Sequence, residues 1–545
     1  MSKYTLTVVD TSGIQNYVFG TNNLKQIVGA SYLVDCATHA WAIEAIPCTH
    51  NVNTKNEKIE DKRIEKKEVE AEVVYAGGGN TVILFSDLAD AKEFTRQLSR
   101  KVLLEAPGLN IVVVHHEFDW DTQTLGGAQG MVQAAMSSLA ERKANPPPNL
   151  PYTGLGVTVE CPFTGKPAVE IVDNVPYSAE ALAKLKAEPK AFDRMKNLIQ
   201  FKGFDQPPRD FDQLGQSPGE KSYIAVIHTD GNRMGERVAE ISNRHDNAGE
   251  GNRAYITAMR AFSVSVQEAA TRALQSTVDL LIDNIDSITQ SIKDVIKITG
   301  KRLPFRPIVF GGDDVTFVCD GRIGLDLTAH YLAHFSNQKL SDEENAHCRA
   351  GVAVVHTHFP FSRAYAFAEE LCQSSKAMIK AHQPVSMAEP VGKTKPVGMT
   401  AMDWHFATSG IIHSLEETRE TEYLTSSGCL LMRPVALSQE VKTWRTWHNF
   451  QRAATEFQSG KAWVDAHNKV KSLRKALRSG ENSVKNFLAL YKSADKELAL
   501  PEMDQWDKEK YTAWAPDGKG GCHCGYFDAV EAVDHYLPLI GVGKL

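Results

Sequence analysis

Short runs rich in β-branched and aromatic residues recur along the chain, and two pairs of them flank glycine clusters. Runs 72–75 and 81–85 enclose Gly77-Gly78-Gly79-Asn80, and runs 307–310 and 315–318 enclose Gly311-Gly312-Asp313-Asp314. Glycine-bearing turns between β-rich runs read as hairpins. Upstream of each lies another apolar run that ends in an aspartate and leads into a helical pattern: 5–9 before Asp10, and 223–228 before Asp230. Downstream of each come an amphipathic helix, 89–103 or 324–335, and a further strand, 110–115 or 349–355. The order is β-α-β-β-α-β twice, a split βαβ sheet with helices on one face.

The rest of the chain is organised around this repeat. Asn145 and three following prolines end the helix that should run over 129–143, because proline lacks the donor and clashes within a helix. The stretch 55–70 is dense in Lys and Glu and reads as a solvated helix or loop. Beyond Trp404 the pattern turns mainly helical, including 441–466 and 481–492. The predicted class is α+β: two ferredoxin-like palm domains, of the kind found in nucleotide cyclases and polymerases, over 1–143 and 216–403. A connecting region over 144–215 and a mainly helical C-terminal domain over 404–545 complete it.

Composition narrows the picture little. The chain has 545 residues, 42% apolar and 23% charged, ordinary for folded domains and too long for one core. A net charge of −7 gives no cationic field over the whole protein for nucleic acid. A local basic groove stays open. No apolar run reaches the roughly 18 residues of a membrane span, and the strand-like start is unlike a signal peptide. Nine scattered cysteines suit reduced thiols. The expectation is a cytoplasmic protein with no membrane partner.

The chemistry concentrates in the second repeat. Asp313 and Asp314 at a hairpin tip, beside Asp230 at the end of a neighbouring strand, can converge on Mg²⁺ or Mn²⁺, which take oxygen ligands and share them with substrate phosphates. Two such ions, about 3.5–4 Å apart, would activate an attacking hydroxyl and neutralise leaving pyrophosphate. Gly311 and Gly312 allow positive φ and let backbone approach a phosphate. Gly231, Asn232, Arg233 and Gly235 lead from Asp230 into a helix whose N–H groups could receive a triphosphate, with Arg233 as an added cation. In the first repeat, Gly79 and Asn80 stand where Asp313 and Asp314 do, so that half should be a degenerate partner. Its Gly77 and Gly78 would seat the acceptor nucleotide.

These motifs resemble the large palm-domain subunit of type III CRISPR effector complexes, whose members make cyclic oligoadenylates from ATP. The resemblance runs through Asp10-Thr-Ser-Gly-Ile-Gln15, Leu24-Lys25, Gly29-Ala-Ser31, Tyr75-Ala-Gly-Gly-Gly-Asn80, Asp230-Gly-Asn-Arg-Met-Gly235 and Phe310-Gly-Gly-Asp-Asp314. It continues through the Gly351 strand, residues 368–376, Met402-Asp-Trp-His405, Arg433-Pro434 and Phe527-Asp-Ala-Val-Glu531. It implies that Asp230 and Asp313 are metal ligands, that Asp314 positions metal or triphosphate, and that Lys376 contacts phosphate. It also selects adenine. The implied product is a cyclic or linear oligoadenylate messenger in antiviral defence, read by a downstream effector.

The chain departs from that family in three places. Asn232 stands where a second aspartate is common. Cys161-Pro-Phe-Thr164 resembles half a zinc ribbon with its second cysteine replaced, so no zinc is expected. The resemblance opens on the first palm, without the HD nuclease domain. Cys522-His523-Cys524 reads as structural or incidental, and His356 and His358 as a polar loop. Two other readings stay open: a cyclic dinucleotide synthase of the diguanylate-cyclase type, and a non-catalytic scaffold binding nucleotide or RNA within a CRISPR-like assembly.

Overall fold

The computed structural model describes residues 3–53, 55, 57–146, 156–215, 222–286, 296, 298, 300–382, 398–407, 414–437, 443–464, 466–491, 498–516 and 521–544. The two predicted repeats are two sheets. In the first, neighbouring strands are Ala71–Gly77, Asn80–Phe85, Lys3–Ser12 and Asn110–Asp119. In the second, Phe305–Val309, Val315–Asp320, Tyr223–Gly231 and Cys348–His356 repeat that order. Both hairpins carry a register shift at the same place, with Val74 unpaired between Val73 and Tyr75, and Ile308 between Pro307 and Val309. A bulge bends its strand, and the shared bulge aligns Gly77–Asn80 with Gly311–Asp314 position for position.

Central strands are apolar on both faces because both faces are covered. Ala225 and Ile227 join one core with helices Glu250–Asp286 and Gly324–Ser336, while Ile224 and Val226 join a second core with helix Phe361–His382. Strand alternation sends successive side chains to opposite faces. The first palm feeds the same two cores, Leu6 and Val8 in one and Val9 in the other. Each fully buried side chain such as Phe317 stabilises by about 1.5–3 kcal/mol. Aromatic stacking ties the palms further, with the rings of Phe19 and Tyr365 3.7 Å apart.

The connecting region contributes a long helix that packs on the first palm. Its helix Ala179–Leu198, capped by Ser178, lies against helix Leu24–Thr38 so closely that a Cβ on Gly29 would come within 1.8 Å of the Lys184 carbonyl oxygen. The 55–70 stretch also does more than face solvent. Ile64 is buried, and Glu65 with the fully buried Glu72 holds Arg253 of the long helix. Helix Met131–Ala144 ends where the proline run begins; residues 147–149 lie outside the described set, as do 441, 442, 465 and 492 of the predicted tail helices.

The boundary at residue 404 needs correction. Trp404 lies within strand Ala401–Ala407, which extends the second sheet by pairing parallel to Cys348–His356. The tail beyond it is helical at Leu415–Tyr423, Trp447–Ser459, His467–Ser479, Glu481–Leu490 and Phe527–Ala532, but it also holds a small four-stranded sheet. The motif residues Arg433, Asp528 and Glu531 form a buried ion-pair network there. Asp403 likewise binds Arg419. These motif positions hold the fold together.

Candidate active site in the second palm

Strand Tyr223–Gly231 carries Asp230 to the sheet edge, and the hairpin brings Asp313 beside it. Gly231 makes that approach possible, since a Cβ there would lie 2.7 Å from the Asp313 Cβ. Gly311, at φ +113°, turns the hairpin in a conformation suited to glycine. Asp230 and Asp313 line a cavity of about 590 Å³. One wall is residues 231–237, the loop and first turn of helix Met234–Arg244, whose leading N–H groups have no partner in the preceding turn. The opposite wall carries Lys376, Ile379 and Lys380 from helix Phe361–His382. Residues i and i+4 share a helix face, so the two lysines present their charge together.

The carboxylates crowd one another. Withdrawal from solvent and the charges of Asp230 and Asp314 push Asp313 up to about 6. Asp230 is also raised, first by burial and then by Asp314, against the opposing Arg349. Asp314 turns away from the cavity toward His228, whose Nδ1 lies 3.3 Å from its carboxylate. Burial works against a charged His228, but the Asp314 hydrogen bond and the nearby carboxylates outweigh it and raise its pKa. The expected convergence of three carboxylates is thus two on the cavity and a third paired with histidine.

Residues 223–382 match the family model described as Cas10/Cmr2, second palm domain. The second palm is Cas10-like. Structures of a Csm1–Csm4 cassette in complex with pppApApA and with AMPPNP are similar to 98% of this chain, at TM-scores of 0.51 and 0.50 and identities of 13% and 14%. A Csm1 structure from T. onnurineus matches 88% of the chain at 15% identity and a TM-score of 0.46. The chain spans 62% of that Csm1 chain and 69% of the other two. No sequence relative was found among curated proteins.

In the Cas10-like palm, the remaining sequence candidates divide. Gly231, Asn232, Gly235 and Lys376 lie on the cavity. Arg233 does too, but its guanidinium is held by Glu236 at 2.7 Å and Glu240 at 3.1 Å, with Glu344 at 3.9 Å, so its charge is already answered. Asn232 accepts from Arg349 and donates to the Met399 carbonyl. Gly312 faces Gly78 of the other palm. Gly77 and Gly78 sit on that facing hairpin, at φ +135° and +65°.

Sequence reasoning missed Arg349, Lys380 and His228. His228 lies two residues before Asp230, on the same strand face, and Lys380 is one turn beyond Lys376. Arg349, a lone charge in the apolar strand Cys348–His356, signalled a buried partner, but only the strand register names Asp230 as that partner. In the first palm the aligned Asp10 is bound by the Lys143 ammonium at 2.6 Å.

Among the described residues, no three His, Cys, Asp or Glu side chains form a metal cage by themselves. Asp230 and Asp313 nevertheless suit a magnesium-type ion, which one or two carboxylates commonly hold together with substrate phosphates. Cys161 is buried with the hydroxyls of Thr164 and Ser178 beside it. Among the described residues no helix is long and apolar enough to cross a membrane.

Proposed function

We propose that the second palm is a metal-dependent nucleotidyltransferase that joins ATP into cyclic or linear oligoadenylate, a second messenger in antiviral defence. One observation carries this reading: Asp230 and Asp313 share a cavity with Lys376, Lys380 and a helix N-terminus. That is a carboxylate floor for a divalent ion beneath cationic walls for a triphosphate. Two structures sharing the fold are described with pppApApA and AMPPNP, which makes adenine nucleotides the first to test. The same two are Csm1–Csm4 cassettes, and a protein partner of that kind is proposed for this chain as well.

Lys376 and Lys380 would hold the phosphates, and the leading N–H groups of helix Met234–Arg244 would orient them. The acceptor would rest against the Gly77–Gly78 hairpin, its hydroxyl attacking the α-phosphorus as pyrophosphate leaves. A bound Mg²⁺ or Mn²⁺ supplies charge neutralisation for that transfer. Phosphoryl-type transfer depends mostly on positioning and electrostatics, and these residues can provide both. The Arg349–Asp230 pair favours a second reading, a nucleotide-binding scaffold, because the first palm's Asp10 is neutralised in the same manner by Lys143.

Incubation of the protein with each nucleoside triphosphate and Mg²⁺ or Mn²⁺, followed by mass spectrometry, decides. Oligoadenylate from ATP supports transfer, provided the Asp313→Ala, Asp314→Ala double variant makes none. Nucleotide binding without any product supports the scaffold.

A further inference from the structure

Strand Cys348–His356 runs antiparallel to Tyr223–Gly231 and places Arg349 directly opposite Asp230. The Arg349 side chain is only 5% exposed. Its Nη2 donates to Oδ2 of Asp230, and its Nη1 donates to Oδ1 of Asn232 at 2.8 Å and approaches the Gly231 carbonyl oxygen at 3.5 Å. A carboxylate, an amide carbonyl and a backbone carbonyl are the hard oxygens a divalent ion would take. Here all three face one guanidinium, which stays protonated in proteins.

Asn232 has little freedom to turn elsewhere. Its side-chain amide donates to the Met399 carbonyl at 2.9 Å, and its backbone N–H donates to the His347 carbonyl at 2.7 Å. The Asn232 carbonyl oxygen is thereby aimed at Arg349. The aligned position in the first palm is instructive. There Lys143 meets the lone Asp10, and Gly79 stands where Asp313 would add a second carboxylate. In the second palm two carboxylates face one guanidinium, which leaves one net negative charge, that of Asp313, for an incoming ion.

We propose that the Arg349 guanidinium takes the place of one of the two cations of the transfer site, so that this palm holds a single divalent ion at Asp313 and Oδ1 of Asp230. The inference rests on the nucleotidyl-transfer reading and specifies its metal requirement. Arg349 is then a positioning residue, fixing Asp230 and answering one of its oxygens. The site needs one fewer ion than the sequence pattern implies.

The test counts Mn²⁺ bound to the full chain at saturating AMPPNP, by electron paramagnetic resonance of the free ion. Nucleotide alone with Mn²⁺ serves as the blank. The wild type is expected to add one ion per chain with an uncoupled spectrum, and Arg349→Met or Arg349→Gln to add a second. Two ions in the wild type, with the exchange coupling of neighbours about 3.5–4 Å apart, would overturn the inference while leaving the transfer reading intact. One ion in folded Arg349 variants would overturn it too, because something else would then exclude the second. No ion in the wild type would overturn both the inference and the metal-dependent reading. Circular dichroism checks that the variants fold; should they fail to, the wild-type count and its spectrum still decide.

Discussion

Gly78 of the first palm and Gly312 of the second meet tip to tip: a Cβ on Gly312 would lie 3.8 Å from the Gly78 Cα. The two residues occupy equivalent positions of the repeat, so the hairpins face each other across a local pseudo-symmetry. One tip continues into aspartates and the other into Gly79 and Asn80. A donor held at the acidic tip would have the side-chain-free backbone of the other tip close by.

Gly78→Leu should therefore disturb transfer rather than donor binding. Gly78 has φ +65°, where a side chain costs roughly 1–2 kcal/mol, and leucine would crowd the meeting point. Triphosphate affinity should stay unchanged while oligonucleotide synthesis falls at least about tenfold through lost alignment. Calorimetric binding and product yield, measured separately, check this, with Gly78→Ala as the control for backbone strain. Full synthesis in Gly78→Leu would remove the acceptor-site assignment.

Asp313 and Asp314 should differ in consequence although they are adjacent. Asp313→Ala removes a cavity carboxylate, and product should drop by more than the 10–100-fold (about) typical of outer-shell metal partners. Asp314→Ala removes the partner of His228 and should stay within about that range. Quantified product from the single variants, with thermal unfolding to confirm folding, makes the comparison. Equal losses would place Asp314 on the metal as well.

Purified protein should contain no stoichiometric zinc. Cys161 sits in a turn closed by the Gly165 N–H donating to its carbonyl at 2.9 Å, with the Thr164 hydroxyl donating to Ser178 at 2.9 Å. A metal analysis finding one zinc per chain, lost on Cys161→Ser, would contradict this reading.

Asp326 should make stability pH-dependent. It is fully buried, and burial raises it to about 6 although Tyr536 and the N–H groups of Leu539 and Ile540 donate to it. A carboxyl with a raised folded pKa binds its proton more tightly when folded, so its favourable contribution is complete below the unfolded value of about 3.9 and is lost as pH rises through about 6. The difference is on the order of 3 kcal/mol. Denaturant unfolding of wild type and Asp326→Asn across this window should show the steeper slope in the wild type, since Asp313, also raised to about 6, titrates in both. Parallel curves would show that Asp326 does not titrate there.

Much of the architecture was legible because its signals are local. Glycine clusters between β-rich runs specify hairpins within a few residues, and Asp10 and Asp230, expected just past their strands, lie near the ends of strands Lys3–Ser12 and Tyr223–Gly231. Lys376 reached the cavity through resemblance alone, since a lysine near a helix end carries no local signature of a phosphate contact. The C-terminal boundary was misplaced because strand Ala401–Ala407, buried along its whole length with Asp403 and His405 included, joins the second sheet only through its parallel pairing with the distant strand Cys348–His356.

By itself the sequence determined the two β-α-β-β-α-β units, the acidic hairpin of one and the neutral hairpin of the other, since turn chemistry and hydrophobic period act over a few residues. Tertiary structure decided which charges those hairpins meet. Antiparallel register set Arg349 against Asp230 across 119 residues of chain, and helix packing set Lys376 and Lys380 across the cavity. A positive-φ turn at Arg233 and the close approach of Glu236, Glu240 and Glu344 withdrew a cation that the sequence offered to the triphosphate. Electrostatic partners are fixed by distances of a few ångströms in space, and separation along the chain carries no information about them until the strands and helices have packed.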